Sequence, residues 1–248
     1  MNASDIISKL NKINEENSVE VFVPSIGRKV KFKPLNIKQQ KDLIKTTMDG
    51  AASGASFSQV LGSIIITNAE ENIPFKIYDR YAIIVGLRGS TISDTYNYLN
   101  KDIKISKVLD KNIKKFQQKP LEGEHTIEYD TLKIVLEIPS IERDMQVNEQ
   151  FISDTKHQPK NTDYGSILGE LYIYEIIKFI KSLQIDSSDA YLFESLSLKD
   201  CISIVESLPV GANSQIIEYI QKVREVENIF IELENGLMGI NTSFFTRA

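Results

Sequence analysis

The pattern of apolar positions changes from a helical to a β period within the first 33 residues. Helical spacing predicts a short helix over residues 4–14, with Ser4 in position to cap it. Alternating apolar and polar residues then predict strands over 19–23 and 28–33, joined by the turn-forming segment 24–27. We therefore expect a β-hairpin with one lysine-lined face exposed. The apolar positions of the helix are Ile6, Ile7, Leu10 and Ile13.

Helices are predicted next. Asn36 and Gln39 have the spacing of a capping box at the start of one helix. A further helix is predicted over residues 57–70 and another over about 75–87. Gly89 follows the last of these and suits the left-handed residue that often ends a helix.

The middle of the chain returns to β character. The lysine-rich residues 101–119 are predicted to be part strand and part helix. A period of two over residues 124–138 predicts a second hairpin that turns at Tyr129-Asp130, and Pro139 ends it. Residues 144–162 are polar without a sustained period, so we expect a connector there.

The remaining residues have helical periodicity. A long amphipathic helix is predicted over 167–183, and Ser197 with Asp200 resembles the N-cap pair of the next. Cys201 lies on the apolar face of that helix, where a buried inert thiol is expected rather than a nucleophile. Asn213 begins the last predicted helix.

These elements predict an α+β protein with three regions. They are an N-terminal β-hairpin with helices (1–119), a middle β segment with connector (120–162) and a C-terminal helical bundle (163–248). Residues 1–119 carry 19 Lys and Arg against 12 Asp and Glu, a net charge of +7, whereas residues 120–248 carry 10 against 22, a net charge of −12. Solvated faces are the simplest interpretation, and faces that meet oppositely charged neighbours are the alternative.

Composition narrows the class of protein. Hydrophobic residues make up 42% and charged residues 25% of the 248, as in ordinary soluble globular proteins. The N-terminus lacks a signal-peptide layout, and the apolar run near residues 60–66 is far shorter than the roughly 20 residues of a membrane-spanning helix. We therefore expect a protein made and kept in a cytosol, with no membrane partner.

Signals for catalysis or for a cofactor are missing from the sequence. There is no phosphate-binding glycine loop, no nucleophile elbow and no Cys–His arrangement, and a single cysteine excludes a multi-thiolate metal site. We assign no catalytic, cofactor-binding or metal-binding residue and expect a protein that is not an enzyme. A hydrolase with an unrecognised site is the least favoured alternative. Acids that could in principle bind a cation are better explained as solvated helix faces: Glu225, Glu227, Glu232 and Glu234.

Nucleic-acid binding is a second alternative. The lysines of residues 28–45 and 101–119, interleaved with Phe22, Phe32 and Phe116, have the chemistry to hold a phosphate backbone. No RNA-binding sequence pattern accompanies them, and the whole chain is acidic, with a pI of about 5.3. An adaptor that binds nucleic acid through its basic half is therefore disfavoured.

Three blocks of sequence resemble the T4-like bacteriophage baseplate hub and hub-assembly protein family. Residues 21–45, VFVPSIGRKVKFKPLNIKQQKDLIK, resemble its opening extended stretch and the Gln- and Lys-rich helix that follows. A second block runs from Tyr78-Asp79-Arg80 through Leu87-Arg88. The third resembles the closing pattern of the family and comprises Leu233, Gly236, Leu237, Ile240, Phe244 and Phe245. Some relatives carry a C-x-x-C pair before the closing aromatics, but residues 220–225 hold no thiol, so a zinc site is not carried over.

The resemblance implies a non-enzymatic component or assembly factor of the baseplate hub of a contractile phage tail. Other hub and tail proteins would be its partners, in the host cytoplasm during assembly and, for a retained component, in the virion baseplate. The residues that we single out for partner binding are Phe22, Pro24, Gly27, Phe32, Arg88, Phe244 and Phe245.

Two of these features, the hairpin and the terminal aromatic pair, could contact a partner in a known way. The hairpin offers an edge for strand addition, and a paired aromatic on a loosely held terminus is a good anchor. The alternative for both is that they complete the core of this chain. For the hairpin the two interpretations are equal, and for Phe244 and Phe245 the partner is favoured.

Overall fold

The computed structural model describes residues 2–46, 53–119, 121–156, 164–186 and 188–246, and within them it confirms the predicted α+β class. The helices are α1 (Ala3–Glu16), α2 (Ile37–Thr46), α3 (Ser53–Asn68), α4 (Asp79–Thr91), α5 (Ile105–Phe116), α6 (Ile141–Lys156), α7 (Tyr164–Phe179), α8 (Leu198–Glu206) and α9 (Val210–Asn228). The strands are β1 (Val19–Val23), β2 (Arg28–Phe32), β3 (Thr95–Tyr98), β4 (Lys101–Lys104), β5 (Glu124–Tyr129), β6 (Leu132–Glu137), β7 (Ile180–Ile185), β8 (Tyr191–Leu192), β9 (Glu232–Leu233) and β10 (Gly236–Leu237). Three antiparallel pairs, β1–β2, β3–β4 and β9–β10, accompany a four-stranded antiparallel sheet in the order β5-β6-β7-β8.

The predicted N-terminal hairpin is confirmed. Val21 of β1 is opposite Val30 of β2, and Gly27 turns the chain in the left-handed conformation with φ 67°. One face is buried against α4, and the other exposes Arg28, Lys29 and Lys31 as expected. The predicted capping box of α2 is also present, because Asn36 and Gln39 exchange hydrogen bonds of 2.9 and 3.1 Å.

The first helix begins one residue earlier than predicted and has a different cap. Asn2, rather than Ser4, accepts a hydrogen bond from the Asp5 amide at 2.9 Å, and the Asp5 carboxylate accepts one from the Asn2 amide at 3.0 Å. This reciprocal pair satisfies two backbone donors that would otherwise have no partner in the first turn.

Helix α4 is the central element of the N-terminal part. It is buried on nearly every side and packs against β1, α3, α5 and α9. It continues to Thr91, so the prediction that Gly89 ends it in a left-handed conformation was wrong. Gly89 instead permits close packing of α5, because a Cβ there would lie 2.8 Å from Cγ2 of Ile105.

The second hairpin turns at Asp130, with φ 54°, as predicted. Its strand β6 also pairs with β7, so the helix predicted over 167–183 was wrong beyond Phe179. The apolar residues of 180–185 are compatible with either a helical or a β period. Pairing with β6 favours the strand, because β6 supplies hydrogen-bond partners for the backbone and a face on which the side chains are buried. The sheet thus joins the predicted middle and C-terminal regions, whose boundaries stay predictions.

Helix α6 replaces the first part of the predicted connector over 144–162, and that prediction was wrong. The buried face of α6 includes Asp144 and Asn148 beside Val147 and Phe151. Polar residues on the buried face concealed the helical period of the apolar ones. Residues 157–163 lie outside the described part of the chain.

Helix α8 begins as predicted at the N-cap Ser197, whose hydroxyl accepts a hydrogen bond from the Asp200 amide at 3.2 Å. Cys201 is fully buried on its apolar face, also as predicted, and burial raises the pKa of the thiol. A buried thiol with a raised pKa is poorly ionised and therefore a weak nucleophile.

The apolar core has two clusters. One surrounds the four-stranded sheet and includes residues of α7, α8 and α9. The other includes the β1–β2 hairpin, α3, α4 and the C-terminal turn Thr242–Phe245. Helix α6 contributes to both, with Val147 and Phe151 in the first and Ile141 in the second.

Two helical glycines give a matched test of this packing. A Cβ at Gly86 of α4 would lie 2.6 Å from Cγ1 of Val21, whereas nothing lies within 4 Å of one at the exposed Gly169 of α7. We expect Gly86→Ala to destabilise the fold by about 1–3 kcal/mol through overpacking. Gly169→Ala should stabilise it by up to about 1 kcal/mol through helix propensity. Urea unfolding of both variants measures this, and equal effects would contradict the α4–β1 packing.

Candidate partner-binding site

Most of the residues singled out for partner binding are inside this chain. Pro24, Phe32, Arg88, Phe244 and Phe245 are buried. The expectation that the terminal aromatic pair is loosely held is therefore corrected: both rings complete the core of this chain. The two other candidates, Phe22 and Gly27, are half-buried and exposed, respectively.

Arg88 of α4 fixes the C-terminal turn. Its Nε donates a hydrogen bond to the Phe244 carbonyl at 3.0 Å, and its Nη1 donates to the carbonyls of Thr95, at 2.9 Å, and of Ser93. The guanidinium also lies 5.1 and 5.4 Å from the ring centres of Tyr96 and Phe244. Burial lowers the pKa of Arg88, and the carbonyls and aromatic faces supply the partners that such a cation requires.

The last aromatic residue of the sequence, Phe245, is held by two further helices. Gln40 of α2 donates a hydrogen bond from Nε2 to the Phe245 carbonyl, and the Phe57 ring of α3 lies 6.3 Å from the Phe245 ring. The structure therefore brings Arg88, Phe244 and Phe245 together as one packing unit. The second and third sequence blocks are therefore in direct contact.

Six charged side chains form a closed ring that sequence reasoning missed. Going round the ring, Arg80 pairs with Asp144, Asp144 with Lys178, Lys178 with Glu175, Glu175 with Arg224, Arg224 with Glu227, and Glu227 with Arg80. The nitrogen–oxygen separations run from 2.6 to 3.2 Å, apart from the very close Glu175–Arg224 contact. The three cations and three anions alternate, so the net charge of the ring is zero. Its members come from α4, α6, α7 and α9.

Four members of the ring are buried, Arg80, Asp144, Lys178 and Glu227, whereas the side chains of Glu175 and Arg224 are 23% and 33% exposed. The charges of the ring stabilise one another. Burial alone would raise the pKa of Asp144, but the charges of Arg80 and Lys178 outweigh it and hold that pKa below its usual range. In the same way, Lys178 and Arg224 lower the pKa of Glu175 against the effect of burial. Glu227 was expected on a solvated helix face, and that was wrong, because it is 4% exposed. A mixed set of charges on four separate helices gives no local pattern that could have revealed the ring.

The turn of the β3–β4 hairpin has an unusual backbone conformation. Leu99 and Asn100 form its two-residue turn with φ values of 50° and 61°, and the Leu99 side chain is 77% exposed. Turns of this hand favour Asn and Gly, and a left-handed conformation costs a residue with a Cβ about 1–2 kcal/mol. Strained residues cluster at ligand-binding and switch sites, so this exposed tip is a candidate for partner binding.

A groove of about 490 Å³ lies beside this tip. We call it the hairpin groove, and it lies between the β3–β4 hairpin, α5 and the β9–β10 pair. Its apolar lining includes Tyr98, Leu99, Ile103, Val108, Leu233 and Leu237. Its charged lining comprises Lys101, Lys107 and Lys111 with Asp102, Glu232 and Glu234. Sequence reasoning noted the lysines but not the groove, because its walls come from parts of the chain that are distant in sequence.

Other kinds of site find little support in the described residues. No group of three or more His, Cys, Asp or Glu side chains there is arranged to hold a metal ion. None of the described helices combines the length and the apolar character that crossing a bilayer requires. Several lysines proposed for nucleic-acid binding are engaged in ion pairs, as in Lys33–Glu15, Lys45–Asp42 and Lys115–Glu232.

Comparison with known protein families identifies the chain. Residues 15–235 match the family described as T4 bacteriophage base plate protein, so the chain belongs to that family. This confirms the baseplate resemblance and supports a structural role in a phage baseplate, with other tail proteins as partners. Neither the curated proteins nor the solved structures give a match.

The ring allows a mutational test with an exposed control. Asp144→Asn leaves Arg80 and Lys178 without their shared anion, and we expect a loss of about 3–5 kcal/mol of folding free energy. Glu71→Gln breaks the exposed pair with Arg28 and should change little. Urea unfolding measures both, and a small effect of Asp144→Asn would contradict a structural role for the ring.

The ring also predicts a pH dependence. The pKa values of Asp144 and Glu175 are lower in the folded than in the unfolded chain, so their contribution is complete above the ordinary carboxylate pKa of about 4 and is lost as pH falls. We expect the free energy of unfolding to decrease on acidification from pH 6 to 3, and to decrease less steeply in Glu175→Gln. Urea midpoints across this range provide the measurement. Parallel profiles for the two proteins would show that Glu175 is not titrated differently by folding.

Proposed function

We propose that this protein is a component or assembly factor of the baseplate hub of a contractile phage tail, and that it acts through protein contacts rather than by catalysis. Its partners are other hub and tail proteins, which it meets in the host cytoplasm during assembly. Membership of the base plate family supports a role in the baseplate of a phage tail. The observation that carries the proposed mode of action is Leu99, an exposed leucine held in a strained conformation beside a groove.

The hairpin groove is rigidly supported, which favours binding with a small entropy cost. Tyr98 donates a hydrogen bond from its hydroxyl to the Leu237 carbonyl at 3.3 Å. Asn112 of α5 donates from Nδ2 to the Glu232 carbonyl at 3.0 Å, and Lys115 pairs with the Glu232 carboxylate. These contacts fix the β3–β4 hairpin, α5 and the β9–β10 pair relative to one another before any partner arrives.

The lining of the groove indicates the chemistry of the partner. Leu99 and Leu237 are exposed apolar side chains suited to contact an apolar anchor. Lys101, Lys107 and Lys111 are exposed in the lining, but so are Asp102 and Glu234, and Glu232 is already paired with Lys115. The groove therefore suits a segment of a tail protein whose apolar side chains are flanked by charges of both signs.

Leu99→Asn separates binding from folding. Asparagine tolerates the left-handed conformation, so we expect a gain of up to about 1 kcal/mol in folding stability together with at least a tenfold loss of affinity for a hub or tail partner. Co-expression with the hub and tail proteins, pull-down and calorimetry of the complex measure the binding. Ile37→Asn is the matched control, because Ile37 is 83% exposed but lies outside the groove.

The possible results test the proposed hub function and the proposed binding site separately. If no hub or tail protein associates with the unmodified chain, the proposed function is wrong. If a partner binds Leu99→Asn and the unmodified chain equally, the function stands and the site is elsewhere. Mass spectrometry of purified virions then distinguishes a retained component from an assembly factor that leaves.

A further inference from the structure

The turn between β9 and β10 contains the dipeptide Asn235-Gly236, which occurs nowhere else in the sequence. Leu233 is opposite Gly236 in this pair, so Glu234 and Asn235 form a two-residue turn, and both are exposed. Asparagine is a labile residue, most of all before glycine. A glycine has no Cβ, so its backbone nitrogen is unhindered for attack on the side-chain carbon Cγ of the asparagine before it.

The Asn235 side chain is free to take part in this reaction. None of the described residues forms a hydrogen bond with it. Other exposed asparagines are held: Nδ2 of Asn97 donates to Asp102 at 2.9 Å, and Oδ1 of Asn241 accepts from the Ser243 amide at 3.0 Å. The side chain of Asn235 can therefore rotate until Cγ meets the next backbone nitrogen.

The backbone nitrogen of Gly236 is also accessible. Strands β9 and β10 have only two residues each, and short exposed pairs open locally at a small cost in free energy. A Cβ built on Gly236 would have nothing within 4 Å, so the space around this residue is open. Its φ of 133° is a conformation that glycine adopts readily and other residues rarely do.

The reaction requires only water. The Gly236 nitrogen forms a bond to Cγ of Asn235, and the side-chain nitrogen leaves as ammonia, taking up the proton that the backbone nitrogen loses. One water then opens the resulting five-membered imide. Cleavage of the new bond gives aspartate, and cleavage of the original peptide bond gives isoaspartate, whose main chain runs through Cβ and Cγ. Nothing is oxidised or reduced.

Both products alter the hairpin groove, because Asn235 and Gly236 belong to its lining. Aspartate adds a negative charge beside Glu234. Isoaspartate also lengthens the main chain by one atom, and a displaced register turns the side chains of a short strand pair away from their places. The contact between the Tyr98 hydroxyl and the Leu237 carbonyl, at 3.3 Å, depends on that register.

We propose that Asn235 is a site of spontaneous deamidation, and that the isoaspartyl form of the turn loses the shape of the hairpin groove. A chain that waits long before assembly would thereby lose its ability to bind a partner. This consequence for binding rests on the proposed function, whereas the reaction and the change of shape do not.

Incubation of the purified chain at neutral and at mildly alkaline pH tests the reaction. Mass spectrometry of peptides measures conversion at each asparagine. We expect Asn235 to convert at least about tenfold faster than the other described asparagines, because of the glycine that follows it. In heavy-oxygen water each conversion should add one heavy oxygen atom, and alkaline pH should accelerate it because the attacking nitrogen must lose its proton.

Two conservative variants serve as controls for this measurement. Asn235→Gln keeps the amide but would require a less favourable six-membered ring, so conversion at this position should be lost. Asn97→Gln changes another exposed asparagine near the groove and should leave the conversion of Asn235 at its original rate. Circular dichroism checks that both variants fold.

Hydrogen exchange on the chain alone measures the change of shape. The Met238 amide donates to the Ile231 carbonyl at 2.7 Å and reports on the β9–β10 pair. We expect faster exchange of this amide in the isoaspartyl chain, which chromatography separates from the aspartyl one. Incubated Asn235→Gln should exchange as the fresh chain does. Asn235→Asp should do so too, because it carries the charge without the added backbone atom.

The results distinguish this proposal from the hub function. Conversion of Asn235 no faster than that of other exposed asparagines, or without heavy oxygen, would overturn the site. Unchanged exchange of the Met238 amide in the isoaspartyl chain would overturn the effect on the groove. If no hub or tail protein binds the fresh chain, the hub function is wrong, and fast conversion with faster exchange still upholds the deamidation site. With a partner, the isoaspartyl chain should bind at least about tenfold more weakly than incubated Asn235→Gln.

Discussion

Four helices of this protein depend on one another because each contributes charge to a largely buried ring of ion pairs. An isolated buried charge is strongly unfavourable, so Arg80, Asp144 and Lys178 are tolerated only while α4, α6 and α7 keep their positions. Helix α9 closes the ring through Arg224 and Glu227. The ring lies on the helices that connect the two apolar clusters, and alternation of the charges requires all four helices together.

A buried charge also fixes the C-terminal turn, Thr242–Phe245. Arg88 is a buried cation without a carboxylate partner among the described residues, and backbone carbonyls with two aromatic faces replace it. The C-terminal turn is therefore part of the core rather than an appendage. Because it closes against α2, α3 and β3, the neighbouring β9–β10 pair has a fixed place beside α5. A buried cation thus supports the accessible surface that we assign to partner binding.

The sequence predicted those features that depend on neighbours along the chain. The β1–β2 hairpin, the capping box at Asn36 and the turn at Asp130 follow from short-range chemistry. Helix α6 and strand β7 were missed because their buried faces are decided by distant partners. The seven candidate residues included Arg88 and the aromatic pair, which meet only through contacts across more than 150 positions. Nothing in the sequence indicated Leu99 as a turn residue, because turn positions with positive φ are usually occupied by Gly, Asn or Asp.

Hydrogen exchange can show whether this protein acts by presenting a surface that is already formed before a partner binds. The amides of the chain alone are compared with those in complex with a hub or tail protein. We expect slower exchange in the complex at the β3–β4 hairpin, along α5 and at the β9–β10 pair, with the helices of the charge ring unchanged. Protection confined to other surfaces, or slowed exchange across α4, α6, α7 and α9, would contradict it by showing a different site or a fold completed only on binding.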